Sequence, residues 1–245
     1  TTRGHRFLGA SSVALPNADV AAYEALLEEQ RVIADPAKRR ATIVEQTKAA
    51  LRAEGSPDTL DELLVDEVNY LVECPTAVVG TLGEAILALP PQVLITAMRK
   101  DQRCFPVYNE DMSLQAKFIA TSNGTEGGDE KVRHGNERVL RARLENAGFF
   151  WEEDLRRPIG DRVDDLKRVT FQEHLGSLHD KMERVRSLAV NLAEGLAFAP
   201  PKVAHTARAA ELAKADLTTQ MVHEFAELQG TMGKLYALHA GEPQE

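Results

Sequence analysis

HGNERVLRARLENAGFFWEEDLRRPIGDRVDDLKRVTFQEHLGSLHDKMER, residues 134–184, divides the chain into two kinds of structure. In its first half Leu140, Leu144, Ala147 and Trp151 recur at helical spacing, which puts them on one face that must meet a core. Asn136, after Gly135, is a residue type that caps orphan amides, so a helix is expected over 136–154. Arg138, Arg141 and Arg143 fall on its other sides, and Glu137 precedes Arg141 by four residues, the spacing of a local ion pair. A second helix is expected to carry Leu175, Leu178, Met182, Val185, Ala189 and Leu192 on one face, with Asp180 and Arg184 exposed. Between the two lies Arg156-Arg157-Pro158, and the chain is divided there. Residues 1–157 read as an α+β domain and residues 158–245 as an all-helical one, so the fold class is α+β, mostly helical.

Outward from that stretch the punctuation is local. Residues 1–7 read as a short extended segment. Asp19, the pair Asp35-Pro36 and the pair Ser56-Pro57 each supply a helix start, giving three helices over 19–73. Tyr23, Leu26, Leu27 and Ile33 are expected inward on the first, and Leu60, Leu63, Leu64, Val68 and Leu71 on the third. The pattern then turns β-branched at 76–80, a proline-started helix follows at 91–98, and residues 104–108 and 117–121 form a hairpin about Asn109-Glu110-Asp111. The strands and hairpin thus occupy 76–121. Residues 123–129, with three glycines and nothing to bury, are expected to be mobile. Late in the chain a helix over 206–225 would place Leu212, Asp216 and Thr219 on one face, and Gly230 and Gly233 interrupt the last helix.

The chain of 245 residues has a formal net charge of −9. That excludes nonspecific coating of nucleic acid, which draws on clustered lysine and arginine, and leaves room for a local basic patch. Two cysteines, Cys74 and Cys104, fit no metal-ligand spacing or disulfide framework, so a cytoplasmic location is expected. No apolar run approaches the roughly 20 residues of a membrane helix, and no membrane partner is expected. The first residues do not read as a signal peptide, and the start reads as a truncation.

The basic residues Lys100, Arg103, Arg138, Arg141, Arg143, Arg156 and Arg157 are candidates for contact with RNA phosphates or a partner, against the plain alternative of a solvated face. Trp151 continues the Leu140 stripe, which favours core packing over base stacking. Asp216 is expected to be a buried carboxylate held by a partner rather than a catalytic group. His179-Asp180, with His174, His205 and Asp216 elsewhere, offers the residue types of a metal site. At about 100° per residue, however, adjacent side chains diverge around a helix, and no metal is expected. Glycine-rich phosphate cradles, nucleophile elbows and Cys/His pairs are lacking, so no catalytic residue is assigned.

The runs GNERVLRARLENAGFFWEEDL and FQEHLGSLHDKMERVRSLA, together with TTRGHRF, LPPQVLITAMRKDQRCFPVYN and KADLTTQMVHEFAELQGTMGKLYAL, resemble the bacterial glycyl-tRNA synthetase beta subunit. The five motifs follow one order and span nearly the whole chain. The family's amino-terminal segment and its anticodon-binding domain have no counterpart, so the resemblance implies an internal fragment. It further implies a heterotetrameric ligase that charges tRNA(Gly) with glycine using ATP and Mg, with the chemistry on the alpha subunit and no cofactor in this fragment. The fragment alone is expected to be inactive, contributing tRNA recognition and subunit assembly. The family also contains a helical region similar to the HD phosphohydrolases, which implies an HD-like fold for 158–245. One alternative is therefore an active HD-type metal phosphohydrolase using His179, Asp180 and Asp216; another is a purely structural helical scaffold. The family usually lacks histidine at the position of His179. Ala142 stands where proline is common and Gly148 where a larger residue is usual, so helix continuity past Ala147 is in question.

Overall fold

The computed structural model describes residues 1–124 and 129–244, apart from the side chain of Asp129. The fold is mostly helical α+β with a small antiparallel sheet. The chain forms two compact units, Thr1–Glu145 and Asn146–Glu245, so the division lies at Glu145/Asn146 where the sequence reading placed it at Arg157.

In the first unit, three helices precede the sheet: α1 (Val20–Glu29), α2 (Pro36–Ala53) and α3 (Glu62–Asn69). Asp19 Oδ1 accepts from Ala22 N and Asp35 Oδ1 from Ala37 N, both at 2.8 Å, the capping role their residue type serves. The third helix corrects the reading. Its cap is Asp61, whose Oδ1 accepts from Leu63 N and Leu64 N, while Ser56 Oγ accepts from Tyr108 N at 3.1 Å. Leu63 and Leu71 are exposed, and the inward face is Leu64, Val65 and Val68.

Strands β1 (Pro75–Thr81), β2 (Phe105–Tyr108) and β3 (Leu114–Asn123) follow, all antiparallel in the order β1-β3-β2, with Val78 opposite Ala120 and Phe105 opposite Ile119. Ile43 and Leu51 of α2 and Leu64, Val65 and Val68 of α3 form one apolar core with Phe105, Val107 and Ile119 of the sheet. Gly80 is required in β1, because a Cβ there would lie 2.2 Å from Phe118 Cζ. Between β1 and β2 run a 3₁₀ turn (Glu84–Ala88), α4 (Pro91–Thr96) and a π turn (Ala97–Asp101) that replaces the end of the expected 91–98 helix. Of the segment expected to be mobile, Asn123 and Gly124 are held to residues 73 and 74: Asn123 Oδ1 accepts from Glu73 N and Cys74 N, and Gly124 N donates to Cys74 O. The rest, 125–128 and the Asp129 side chain, lies outside the described residues.

Helix α5 (Asp129–Leu155) starts about two turns before the expected cap. Asn136 is internal to it and donates from Nδ2 to Val132 O at 3.0 Å. The helix continues through Gly148, and Leu140, Leu144 and Ala147 are buried as their spacing requires.

The second unit is not all helix. After α5 come a 3₁₀ segment (Ile159–Arg168) and a small hairpin of β4 (Thr170–Gln172) and β5 (Gly176–Ser177). Then follow α6 (Leu178–Gly195), α7 (Pro200–Leu212), a 3₁₀ turn (Ala215–Thr218), α8 (Gln220–Glu224), a further turn (Ala226–Leu228) and α9 (Thr231–His239). The expected 206–225 helix is broken at Lys214, which takes a left-handed φ of 70°. The expected stripe on α6 is only partly covered: Met182 is buried and Leu178 and Ala189 are half-buried, whereas Leu175, Val185 and Leu192 are exposed.

Candidate functional site

The seven basic candidates separate into held and open groups. Arg103 Nε donates to Glu67 at 2.8 Å, and Arg143 Nε to Asp101 at 2.8 Å. Arg156 pairs with Glu153 at 2.6 Å, Arg157 pairs with Asp165 and donates to Asp161 O, and Lys100 also has a partner. Arg138 and Arg141 are exposed and have no hydrogen bond or ion pair among the described residues. The expected Glu137–Arg141 pair does not form, because Glu137 Oε1 accepts from Thr81 N at 3.0 Å and Thr81 Oγ1 at 3.3 Å and lies 3.9 Å from Arg133. Two guanidinium groups three residues apart on one side of α5 are thus left to solvent, the arrangement that meets successive anionic groups.

Asp216 is 1% exposed and follows the left-handed Lys214. Its Oδ2 accepts from Gly230 N at 2.5 Å and Gly233 N at 3.1 Å, so the buried charge is satisfied by orphan amides at the start of α9. A second buried carboxylate went unread in the sequence. Asp154, also 1% exposed, accepts from Gln220 N at 3.0 Å, Met221 N at 2.9 Å, Tyr236 Oη at 3.0 Å and Arg162 Nη2 at 3.2 Å. Burial, followed by the adjacent Asp154 charge, pushes the Tyr236 phenol well above its usual range, so it stays a donor. Trp151 stacks on Tyr236 at 5.2 Å between ring centroids and is half-buried, less enclosed than its stripe implied. Helical position alone could have marked Asp154: it lies three residues beyond Trp151 and seven beyond Ala147, on the inward side.

The metal alternative is not assembled. Asp180 Oδ2 accepts from Ser177 N at 2.8 Å and Ser177 Oγ at 2.7 Å, completing a capping box at the start of α6. Those hydrogen bonds, the backbone one first, hold its carboxyl below the usual range. His179 and Asp180 line an open groove with Lys167, Gln172 and Glu173. His205 and Asp216 line a separate cavity of about 270 Å³ bounded by Leu212, Ala237 and Pro243. His174 sits on the hairpin turn, where its backbone N donates to Gln172 Oε1. Among the described residues no three histidine, cysteine or acidic side chains converge as a metal site. His179 and Asp180 line one groove and His205 and Asp216 another cavity, so the set is not gathered about a shared ion.

Structure and site together define a mostly helical α+β protein whose buried carboxylates brace helix ends and whose longest helix carries two open arginines, Arg138 and Arg141. The family model for the glycyl-tRNA synthetase beta subunit matches residues 1–245, and the chain belongs to that family. It is 46% identical over 244 residues to the glycine–tRNA ligase beta subunit of Desulforamulus reducens, covering 100% of this chain and 35% of that protein. To the beta subunit of Myxococcus xanthus it is 48% identical over 243 residues, covering 99% of this chain and 34% of that protein. To that of Bacillus subtilis it is 44% identical over 245 residues, covering 100% and 36%. The chain therefore spans about 35% of the length of the curated relatives it matches.

Proposed function

We propose that this chain is a tRNA-contacting and assembly portion of a glycine–tRNA ligase beta subunit, acting in a cytoplasmic heterotetramer whose alpha subunit activates glycine with ATP and Mg. The observation that carries the RNA contact is the pair Arg138 and Arg141, exposed on α5 with no acidic partner among the described residues. In a chain of net charge −9, such a pair gives local attraction for phosphates without general affinity for nucleic acid. The separation of His179 and Asp180 from His205 and Asp216 weighs against an HD-type phosphohydrolase in the helical region.

The test maps protein–tRNA crosslinks in the complete ligase and measures ATP–pyrophosphate exchange with and without the alpha subunit. Crosslinks are expected on α5 near Arg138, and exchange is expected only when alpha is present. Crosslinks confined to other parts of the beta polypeptide would favour the scaffold reading. Phosphoesterase activity in manganese, nickel or cobalt, abolished by both Asp180→Ala and Asp216→Ala, would restore the phosphohydrolase.

A further inference from the structure

The motif TTRGHRF folds into a tight loop whose geometry is fixed from within. Gly4 N donates to Ala10 O at 2.9 Å, Gly9 N to His5 O at 2.8 Å and His5 N to Gln30 O at 2.9 Å. Ala10 N donates to Gln30 Oε1 at 2.9 Å. The loop closes only because residues 4 and 9 are glycines. A Cβ on Gly9 would lie 2.4 Å from His5 N and 2.5 Å from Gln30 O, and one on Gly4 would lie 2.9 Å from Gly9 Cα. His5 is 1% exposed, and its Nδ1 accepts from Phe7 N at 3.3 Å, which fixes the backbone beneath the next aromatic residue.

What this rigid base holds out is Phe7, 77% exposed, with the Arg6 guanidinium 5.5 Å from its ring centroid. A phenyl ring gains free energy when it leaves water, and the braced loop holds this one in solvent beside a guanidinium. The charge carried by the loop itself has one sign. Arg3 and Arg6 are exposed and unpaired with any acid among the described residues, and no aspartate or glutamate precedes Asp19.

We propose that the Arg6–Phe7 tip is a stacking platform for an unpaired nucleobase of RNA, with Arg3 and Arg6 placed to meet the flanking phosphates. This rests on the tRNA-contact reading above and adds to it a second, base-directed element in the same unit of the chain. An aromatic face next to a guanidinium is the combination on which splayed single-stranded bases stack, and any base offers it a π-face. A purely apolar partner would use Phe7 but would leave the loop's two arginines without counter-charge.

The test uses the complete beta polypeptide assembled with alpha, carrying Phe7→Leu, Phe7→Ala, Phe7→Trp, Arg6→Ala or the pair Arg138→Ala and Arg141→Ala, and measures tRNA affinity and alpha–beta assembly. Phe7 is exposed, so its variants leave the fold intact. Removal of the ring in Phe7→Leu is expected to weaken tRNA binding about tenfold, the scale of one stacked base, with Phe7→Trp retaining it and Arg6→Ala weakening it. Unchanged affinity in Phe7→Leu, alongside weakened binding in the Arg138/Arg141 variant, would overturn the platform and leave the tRNA reading standing. Failure of assembly in Phe7→Ala that Phe7→Leu restores would overturn it in favour of a protein contact. Absence of tRNA binding by the unmodified complex would overturn both.

Discussion

The two units of the chain are stabilised differently. The first buries a continuous apolar set, Ile43, Leu51, Leu64, Val65, Phe105, Val107 and Ile119, between two helices and a sheet. The second is assembled from short pieces, Ala215–Thr218, Gln220–Glu224, Ala226–Leu228 and Thr231–His239, and each helical piece exposes amides with no partner inside its own turn. Asp154 and Asp216 fill that need from the interior. A long helix can leave its ends in water, whereas a string of short ones brings its ends into the core, where a carboxylate is the compact acceptor for two or more donors. The second unit thus adds buried acid to an apolar interior of its own, Ile159, Leu166, Met221, Phe225 and Met232.

The sharpest way to break this comparison is Asp154→Ala. It strands two amides and the Tyr236 hydroxyl, leaves Arg162 with only the carbonyls of Asp154 and Thr218, and is expected to cost about 3–5 kcal/mol, the scale of breaking a buried pair from one side. Emission from Trp151, the sole tryptophan, stacked on Tyr236, reports it as a lower denaturant midpoint. A cost under about 1 kcal/mol would show the network to be dispensable. In the first unit, Ile43→Ala is expected to cost about 3 kcal/mol through its cavity, read by hydrogen exchange of the β1 and β3 amides. Asp216→Ala, which frees two donors, is expected to cost about 2 kcal/mol and to deprotect the amides of Gly230 and Gly233.

Smaller still is Ser177→Ala at the start of α6, expected near 1 kcal/mol through removal of the cap, about the usual size of that effect. Its partner Asp180 adds a pH signature. Because the folded carboxyl is held below its ordinary value, its contribution is present above that value and disappears as the pH falls through the lowered one. Protection of the Ser177 amide, which donates to that carboxylate, should therefore drop only in acid, below about pH 4, and Asp180→Asn should remove that pH dependence.

Much of the fold was legible where one local signal decides. Asp19 and Asp35-Pro36 fix helix starts with their neighbours alone, and the β-branched run at 76–80 and the hairpin followed from alternation. Ser56-Pro57 misled because a hydroxyl before proline serves as readily in a loop-to-strand hydrogen bond as in a cap. The α6 stripe has the right period but is covered only in part, at Met182, Leu178 and Ala189, since period states which residues share a face and not whether anything covers it. At the candidate site, Asp216 was recognisable as an acid among inward positions, yet its donors, Gly230 and Gly233, lie on another element. Asp154 was hidden in a charged run, EEDLRR, where only its phase relative to Ala147 and Trp151 marks it as inward.

The proposed contact of Arg138 and Arg141 with tRNA phosphates makes the salt dependence of tRNA affinity in the complete ligase, with and without Arg138→Ala and Arg141→Ala, the decisive measurement. Removing one phosphate-neutralising arginine should lower the log–log slope by roughly one, so the double variant should fall by about two and bind more weakly at low salt. An unchanged slope and affinity in the double variant would contradict the account.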